Sequence, residues 1–441
     1  MHRGSEWLVP SLLCGLLTAS SAIAAENPPP TETTSEVGSA ASAPTPQTPP
    51  TEPAAAPTPL PEPQPNTVVA APQPVPTAPA LPPKPGAPSF RLEGPAGSFL
   101  KIGLLLQPQF QAAGDLTRDS YTKNIYSRRT RILLGGTLFG QFEYFVETDF
   151  ANLFFANNVP GTGDAPATSV KSTPGMNVQD AYGTWKIYGD FAKLDVGYML
   201  PPLAHNALQS AATLLSLDYF AYTFVQGNSF QSSGNPVGRD TGAQLRGLLL
   251  DGHVEYRAGL FQGLRNGQTA TDVGSRNFFR FTSRLQINLL DAETGFFYAG
   301  TYHGAKKVLS IGGSADIQDK YKYFAGDAFL DLPVGPVGVV TAQVNLTRLD
   351  GGTFIPGLIK RTALMGEAGF LISDLQLSPI VRVEHRWGSG TLVDETLLSG
   401  GIAYWPHGHN VNVKAFYTRV TDKGAVHAAN QFNLQGQLFV F

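Results

Sequence analysis

Residues 276–289 read RNFFRFTSRLQINL, a stretch in which apolar and polar side chains alternate. The apolar positions are Phe279, Phe281, Leu285, Ile287 and Leu289. The positions between them are Arg276, Arg280, Thr282, Arg284, Gln286 and Asn288. Successive side chains of a β-strand point to opposite faces, so this period of two predicts a strand with one apolar face and one charged face.

The same alternation recurs along the chain. It is clear in residues 101–110, 141–150, 180–187, 254–260 and 380–387. Short turn signals join some of these runs, at Asp251-Gly252, at residues 335–338 and at residues 406–410. Longer polar stretches follow others, at residues 157–175, 229–238 and 263–274. Short turns that alternate with long loops are typical of a barrel with one short-turned rim.

Composition excludes several classes of protein. The chain has 441 residues, of which 15% are charged, and a formal net charge of −3 with no basic run, which argues against a nucleic-acid partner. A disulfide scaffold is excluded by the single cysteine, Cys14. Outside the extreme N-terminus no apolar run is long enough for a membrane-spanning helix.

The chain divides into three parts. Residues 1–24 are typical of a secretory signal peptide, with Arg3, a short apolar run and an Ala22-Ile23-Ala24 cleavage site. Residues 25–88 are rich in Pro and Ala, and 21 of the 35 prolines lie in residues 27–88. Such a segment buries too little apolar surface to fold, so we expect a disordered periplasmic spacer, with partner binding as the alternative. Residues 89–441 contain the alternating runs.

The number of alternating runs predicts the fold class. A soluble sandwich also alternates, but a sheet in a membrane must close because an open edge would leave backbone amides unpaired in hydrocarbon. Dividing the last 353 residues by about 22 residues per strand and loop predicts roughly 16 strands, a size that encloses an aqueous channel. We therefore expect an all-β protein, a transmembrane antiparallel β-barrel.

Several segments resemble the phosphate-selective porin family of the O and P type. The similar segments are residues 126–150, 178–182, 194–202, 239–245, 250–252 and 256–263. The terminal Phe441 also resembles the assembly signal of bacterial outer-membrane barrels. The resemblance implies a homotrimer in the bacterial outer membrane, surrounded by its lipid. It also implies that small anions, phosphate above all, pass through a lumen lined by basic side chains.

Basic residues on the polar faces are the candidate pore-lining and anion-binding residues. They are Lys101, Arg129, Arg131, Lys186, Lys193, Arg246, Arg257, Arg276, Arg280, Arg284, Arg382 and Arg386. Guanidinium groups suit phosphate because they offer paired donors and stay charged. Acids share these faces, so Arg129 and Arg131 could instead neutralise Glu143 and Glu147. The series Arg276–Arg284 has fewer acids nearby in sequence and is the better candidate for a conducting ladder.

The segment Leu203–Asn235 is too long and mixed for a strand, and either a fold into the lumen or an external loop fits it. Within it, residues 204–216 could form a short helix. No G-x-S-x-G or H-E-x-x-H motif is present, so we expect no enzyme, cofactor or metal site, and His407 and His409 are expected to be turn residues. Two alternatives to an anion porin stay open: a non-selective or sugar-permeable porin, and a structural barrel whose Pro-rich arm holds a periplasmic partner.

Overall fold

The computed structural model describes residues 89–116, 120–159, 168–224, 238–265, 269, 271–272, 275–355 and 357–441. The signal peptide and the Pro-rich spacer expected in residues 1–88 lie outside the described residues. So do residues 225–237, the end of the segment for which a lumen insertion was one interpretation.

The described part of the chain is built almost wholly from strands. In chain order they are β1 (Phe90–Glu93), β2 (Phe99–Gly114), β3 (Tyr121–Leu138), β4 (Phe142–Asp149), β5 (Ala156–Val159), β6 (Thr168–Lys171), β7 (Asn177–Tyr188), β8 (Ala192–Met199), β9 (Asp240–Leu249), β10 (Val254–Phe261), β11 (Arg280–Asn288), β12 (Val308–Gln318), β13 (Tyr321–Val334), β14 (Gly338–Asp350), β15 (Arg361–Ile372), β16 (Leu377–Trp387), β17 (Glu395–Tyr404), β18 (Val411–Asp422) and β19 (Ala429–Val440). Two short 3-10 helices span His205–Leu208 and Leu250–Gly252.

Sixteen of these strands form a closed antiparallel barrel. Each pairs with the next barrel strand along the chain, and β19 pairs with β2 to close the ring. Strand β1 adds a hairpin to the start of β2, while β5 and β6 pair with each other in one long connection. The predicted barrel of about 16 strands is confirmed. No helix among the described residues is both long and apolar enough to cross a membrane.

Alternation assigns the two faces of the wall as expected. On β11, Phe281 and Leu285 point outward and are 46% and 54% exposed, whereas Arg280 and Arg284 point inward and are buried. The pattern repeats on β16, where Val381 faces out and Arg382 faces in. The outer face is therefore an apolar belt, and the polar side chains crowd into the lumen.

The two rims differ in the length of their connections. One rim, called here the short-turn rim, carries the predicted turns at residues 251–252, 335–338 and 406–410. Most connections at the opposite, long-loop rim are longer. One connection of the short-turn rim is long: residues 289–307, which join β11 to β12.

Two connections fold into the barrel, one from each rim. The first insert, residues 200–224, follows β8, and the second insert, residues 289–307, follows β11. They meet through backbone hydrogen bonds, from Tyr298 N–H to Leu208 O (2.9 Å), from Ser210 N–H to Tyr298 O (2.9 Å) and from Gly300 N–H to Thr213 O (3.1 Å). The first insert thus lies in the lumen and not outside. Helix is limited there to His205–Leu208, so the short helix considered for residues 204–216 is mostly wrong.

Gly103 and Gly135 leave room for the ring of Phe441 to pack against the wall. A Cβ atom on Gly135 would lie 2.7 Å from Cζ of Phe441, and one on Gly103 would lie 2.5 Å from its Cδ2. The Phe441 ring also meets Phe145 edge-on at 5.8 Å between centroids. Any larger residue at these two positions would push the ring out of its seat at the short-turn rim.

Candidate functional site

The arginines of residues 276–284 all pair with acids on other strands or turns of the barrel. Arg280 forms a two-point contact with Asp316 (2.8 and 2.7 Å), and Arg276 pairs with Asp319. Arg284 donates to both carboxylate oxygens of Asp327 (2.7 and 2.8 Å). These acids are distant in sequence: Asp316 lies on the adjacent strand β12, and Asp327 lies one strand further away on β13. The series has few acids nearby in sequence, but the fold pairs each of its three arginines with an acid, so it is not less neutralised than the other inward arginines.

Two arginines of β3, Arg129 and Arg131, have acidic partners in different parts of the barrel. Arg131 bridges Glu147 and Asp149 on β4, each at 3.1 Å, which agrees with the pairing expected for Glu147. Arg129 does not contact Glu143, which pairs with Lys186 at 2.7 Å. It instead pairs with Asp218 of the first insert. The ion pair between Arg129 and Asp218 therefore links β3 of the wall to the first insert.

The remaining candidate residues also point inward, and all but one are paired. The pairs are Arg246 with Asp195 (2.8 Å), Arg257 with Glu255 (2.7 Å), Lys193 with Asp190 (2.5 Å), Arg382 with Glu384 (2.5 Å) and Glu367 (3.3 Å), and Arg386 with Glu395 (3.8 Å) and Asp422 (3.9 Å). Lys101 forms no ion pair among the described residues, and its Nζ lies 4.7 Å from the centroid of the Phe441 ring.

Some inward cations were missed by sequence reasoning. Lys414 donates to the backbone oxygens of Leu214 (2.6 Å) and Ser216 (2.9 Å), and so anchors the first insert. Arg361 donates to Phe224 O (3.2 Å) in the same insert. The alternation of Asn412, Lys414 and Phe416 on β18 was the available signal for Lys414.

Asp218 of the first insert is surrounded by a surplus of positive charge. Arg128 Nε donates to it at 2.8 Å, Arg129 also pairs with it, and Arg382 donates to its backbone oxygen at 2.7 Å. Burial alone would raise the pKa of Asp218, but the two guanidinium groups and the Tyr219 N–H lower it well below its ordinary value. The Asp218 side chain is 40% exposed, so this cluster, the Asp218 site, remains open to water.

His205 joins the first insert, the second insert and the wall. Its Nε2–H donates to Glu293 Oε2 (2.8 Å), and its backbone N–H donates to Asp327 (3.1 Å). The imidazole is stacked between Tyr298 and Phe329, at 4.6 and 4.4 Å between centroids. Burial would raise the pKa of Glu293, but its contacts with His205 and other donors lower it. The hydrogen bond between His205 and Glu293 therefore links the first insert to the second insert.

One sector of the lumen is lined by uncharged amides. On β2 and β19 they are Gln107, Gln109, Gln111, Gln431, Asn433, Gln435 and Gln437. Gln107 donates to Gln437 (2.8 Å), and Gln435 donates to Gln109 (2.8 Å). This amide wall stands beside the Asp218 site, because Arg129 also donates to Gln107 (2.8 Å).

His409 secures the far end of the second insert. It lies in the β17–β18 turn, as expected, and its Nε2–H donates to Thr301 O (2.9 Å) while its ring stacks on His303 (4.4 Å). Burial, helped by the charge of the nearby Lys414, lowers the pKa of His409 to about 4, although the hydrogen bond to Thr301 O acts in the opposite direction.

This burial predicts an acid-sensitive contact. Because the pKa of His409 falls from 6.5 in the unfolded chain to about 4, the unfolded chain binds more protons between these values. We expect the stability of the barrel to fall as the pH drops through this window. Thermal unfolding followed by circular dichroism should show a shallower loss in His409→Gln than in wild type. His407→Gln, an exposed change in the same turn, is the control, and equal pH profiles for both variants would contradict the assignment.

The described residues contain no group of three His, Cys, Asp or Glu side chains arranged to hold a metal ion.

A closed barrel of sixteen antiparallel strands, apolar outside and charged within, with chain folded into its lumen, is the architecture of outer-membrane porins. Comparison with solved structures agrees. The anion-selective porin from Comamonas acidovorans has a TM-score of 0.52 and 12% identity, over 78% of this chain and 99% of that chain.

Two further solved structures resemble the chain more weakly. The outer membrane channel DcaP of Acinetobacter baumannii has a TM-score of 0.49 and 11% identity, over 79% of this chain and 99% of that chain. Salmonella typhi OmpF in complex with daunomycin has a TM-score of 0.48 and 12% identity, over 79% of this chain and 100% of that chain. No family model matches the chain, and no curated protein is similar to it. The likeness to the anion-selective porin is a likeness of fold.

Proposed function

We propose that the protein is a passive outer-membrane porin for small anions, with phosphate as the favoured solute. The observation that carries the proposal is the Asp218 site, where Arg128 and Arg129 face one carboxylate and where the cluster is open to water. Lys101 and Arg361 add inward positive charge and contact no acidic side chain in the described part of the chain.

Most of the other inward cations carry no free charge for a solute, because they are neutralised by acids. The predicted anion-binding role of Arg131, Arg246, Arg257, Arg280 and Arg284 is therefore proposed only as a contribution to the field of the lumen. Selectivity needs fixed charge with binding weak enough for release. Guanidinium groups that share a single carboxylate meet that requirement better than fully neutralised pairs.

Variants of opposite sign at the Asp218 site test the proposal. Reversal potentials are measured in a planar bilayer across a KCl gradient. Arg128→Gln removes a cation, so we expect anion selectivity to fall. Asp218→Asn removes the carboxylate that Arg128 and Arg129 share, so we expect anion selectivity to rise. If Arg128 and Asp218 had only a structural role, both variants would shift the reversal potential in the same direction.

Lys307→Gln, an exposed change at the short-turn rim, is the matched control and should leave the reversal potential unchanged. Cation preference of the wild-type channel would defeat the proposal. The phosphate preference has a separate readout. Millimolar phosphate should reduce the chloride current, and an unchanged current would leave an anion porin without phosphate preference.

The amide wall favours a second candidate, a non-selective or sugar-permeable porin. Neutral amides both donate to and accept from hydroxyl groups, and they carry no charge that would exclude neutral solutes. Swelling of proteoliposomes in neutral sugars would support this candidate, especially if Gln109→Leu slows it. A third candidate, a structural barrel with a periplasmic tether, depends on residues outside the described part of the chain.

Location in the outer membrane and assembly as a homotrimer complete the proposal. The apolar belt supports the membrane location, because such a surface must be covered by lipid. Cell fractionation tests the location. Chemical cross-linking of the protein in native membranes tests the trimer, and a band of one subunit only would contradict it.

A further inference from the structure

A small pocket, called here the rim pocket, lies at the short-turn rim where β8, β9 and β10 meet the second insert. Its lining combines two cations of the wall with two carboxylates and a hydroxyl group. These residues are Lys193, Arg246, Glu255, Glu293 and Thr294. Thr294 is exposed to solvent, so a solute can reach the rim pocket from this rim.

Arg246 holds hydrogen-bond donors that the described part of the chain does not use. Its Nε donates to Asp195 (2.8 Å), but Nη1 and Nη2 donate to no group among the described residues. The Arg246 side chain is only 8% exposed and lines the rim pocket. A buried donor is costly when it has no acceptor, so the acceptor must come from the contents of the pocket. Two paired guanidinium donors match the two oxygens of a carboxylate.

Lys193 adds a second cation on the same side of the rim pocket. It lies directly opposite Arg246 in the register of β8 and β9, where like charges repel each other. Its Nζ pairs with Asp190 (2.5 Å), whose side chain is 62% exposed. Because Asp190 is solvated, Lys193 can turn toward a ligand without leaving a buried carboxylate unpaired. The β8–β9 side of the pocket is therefore suited to a carboxylate.

The other side of the rim pocket is acidic. Glu255 is a diagonal neighbour of Arg246 in the register of β9 and β10, roughly 7–8 Å away between Cα atoms. Glu255 accepts from Arg257 Nε (2.7 Å), and Glu293 accepts from His205 Nε2–H (2.8 Å). A carboxylate has about four lone-pair sites, so both acids keep acceptor sites for an ammonium group.

The charges around the rim pocket balance. The cations are Lys193, Arg246 and Arg257, and the carboxylates are those of Asp190, Asp195, Glu255 and Glu293. A simple anion would be repelled by the acids about as strongly as the cations attract it, and a simple cation would meet the reverse. A solute that carries both charges finds a partner on each side and adds no net charge.

We propose that the rim pocket binds a small zwitterion, a free α-amino acid with a short side chain. Its carboxylate accepts from Nη1 and Nη2 of Arg246, with Lys193 beside it, and its ammonium group donates to Glu255 or Glu293. Its side chain lies at the open side of the pocket, near Thr294. This binding is independent of the solute that the Asp218 site selects, because the two sites share no residue.

Three probes that differ in their charged groups test the chemistry. They are alanine, propionate, which lacks the ammonium group, and ethylamine, which lacks the carboxylate. Binding to the purified full-length protein in detergent is measured by saturation-transfer NMR. Alanine should bind at least about tenfold more tightly than the other two, because each of them loses a charge-assisted hydrogen bond and leaves one side of the pocket unmatched. Binding of propionate or ethylamine as tight as that of alanine would overturn the proposal.

Two variants test the place of binding. Arg246→Lys keeps a charge beside Asp195 but removes the paired donors, and Lys193→Gln leaves only the exposed Asp190 without its partner, so we expect both to fold. Circular dichroism checks the fold. Arg246→Lys should weaken alanine binding about tenfold, and Lys193→Gln should weaken it in the same direction.

The matched control for these variants is Lys307→Gln, an exposed change in the second insert but outside the rim pocket. It should bind alanine like wild type. Wild-type alanine binding in both Arg246→Lys and Lys193→Gln would overturn the proposal, whatever the reversal potentials of the channel show.

Discussion

Shortening the second insert should raise the single-channel conductance several-fold. The β11–β12 ladder continues as far as the hydrogen bond from Asp291 N–H to Lys307 O (2.9 Å), so residues 292–306 can be replaced by a two-residue Asn-Gly turn. This removes Tyr298 and Glu293 from the lumen, and the first insert loses its hydrogen bonds to the second insert. The conducting cross-section should therefore widen. Recordings in a planar bilayer in concentrated KCl measure the effect.

The matched control is a change of another turn on the same rim. Replacing the exposed residues 335–337 by Asn-Gly shortens a turn that does not enter the lumen, so the conductance should stay at the wild-type value. An unchanged conductance in the shortened-insert variant would mean that solutes do not pass beside the second insert. That result would contradict the role of the insert as a constriction, while leaving the fold intact.

Removing Arg284 should strongly destabilise the barrel. Its guanidinium is buried and donates to Asp327, to Leu203 O of the first insert (3.2 Å) and to Gln286 (2.6 Å). Arg284→Met leaves the Asp327 carboxylate buried and unpaired, which costs about 3–5 kcal/mol of the free energy of unfolding. Urea unfolding in lipid vesicles, followed by tryptophan fluorescence, measures the loss.

A double variant separates the unpaired charge from the lost packing. Arg284→Met with Asp327→Leu removes both charges, so much of the stability should return, since an apolar pair of similar volume often replaces a buried ion pair at little cost. Arg419→Met, an exposed outward change, is the control and should alter stability by less than about 1 kcal/mol. A double variant no more stable than Arg284→Met would show that packing, and not the charge left behind, dominates.

Local chemistry alone predicted most of the wall. Period-two alternation is a property of the extended backbone, so the inward position of Arg280 and the outward position of Phe281 follow from neighbouring residues. Turn residues such as Asp251-Gly252 act over an equally short distance. The number of strands followed from the length of the alternating region, and closure followed from the cost of unpaired amides in lipid.

The contacts of the candidate site join residues that lie far apart in the sequence, so the sequence alone did not reveal them. The partner of Arg280 is Asp316, which is 36 residues away and reaches it only because β11 pairs with β12 in a particular register. Proximity in sequence was a poor guide to charge pairing, and it misjudged the surroundings of residues 276–284. Asp218 lies in a segment without periodicity, and only the fold of the first insert brings it to Arg128.

The amino-acid sequence by itself determined that this chain forms a closed barrel, because strand periodicity and turn chemistry act between near neighbours. Only the tertiary structure decided that two connections enter the lumen from opposite rims and meet at His205 and Glu293. The physical reason is that strand register and buried ion pairs are settled between residues far apart in the chain, once the ring has closed.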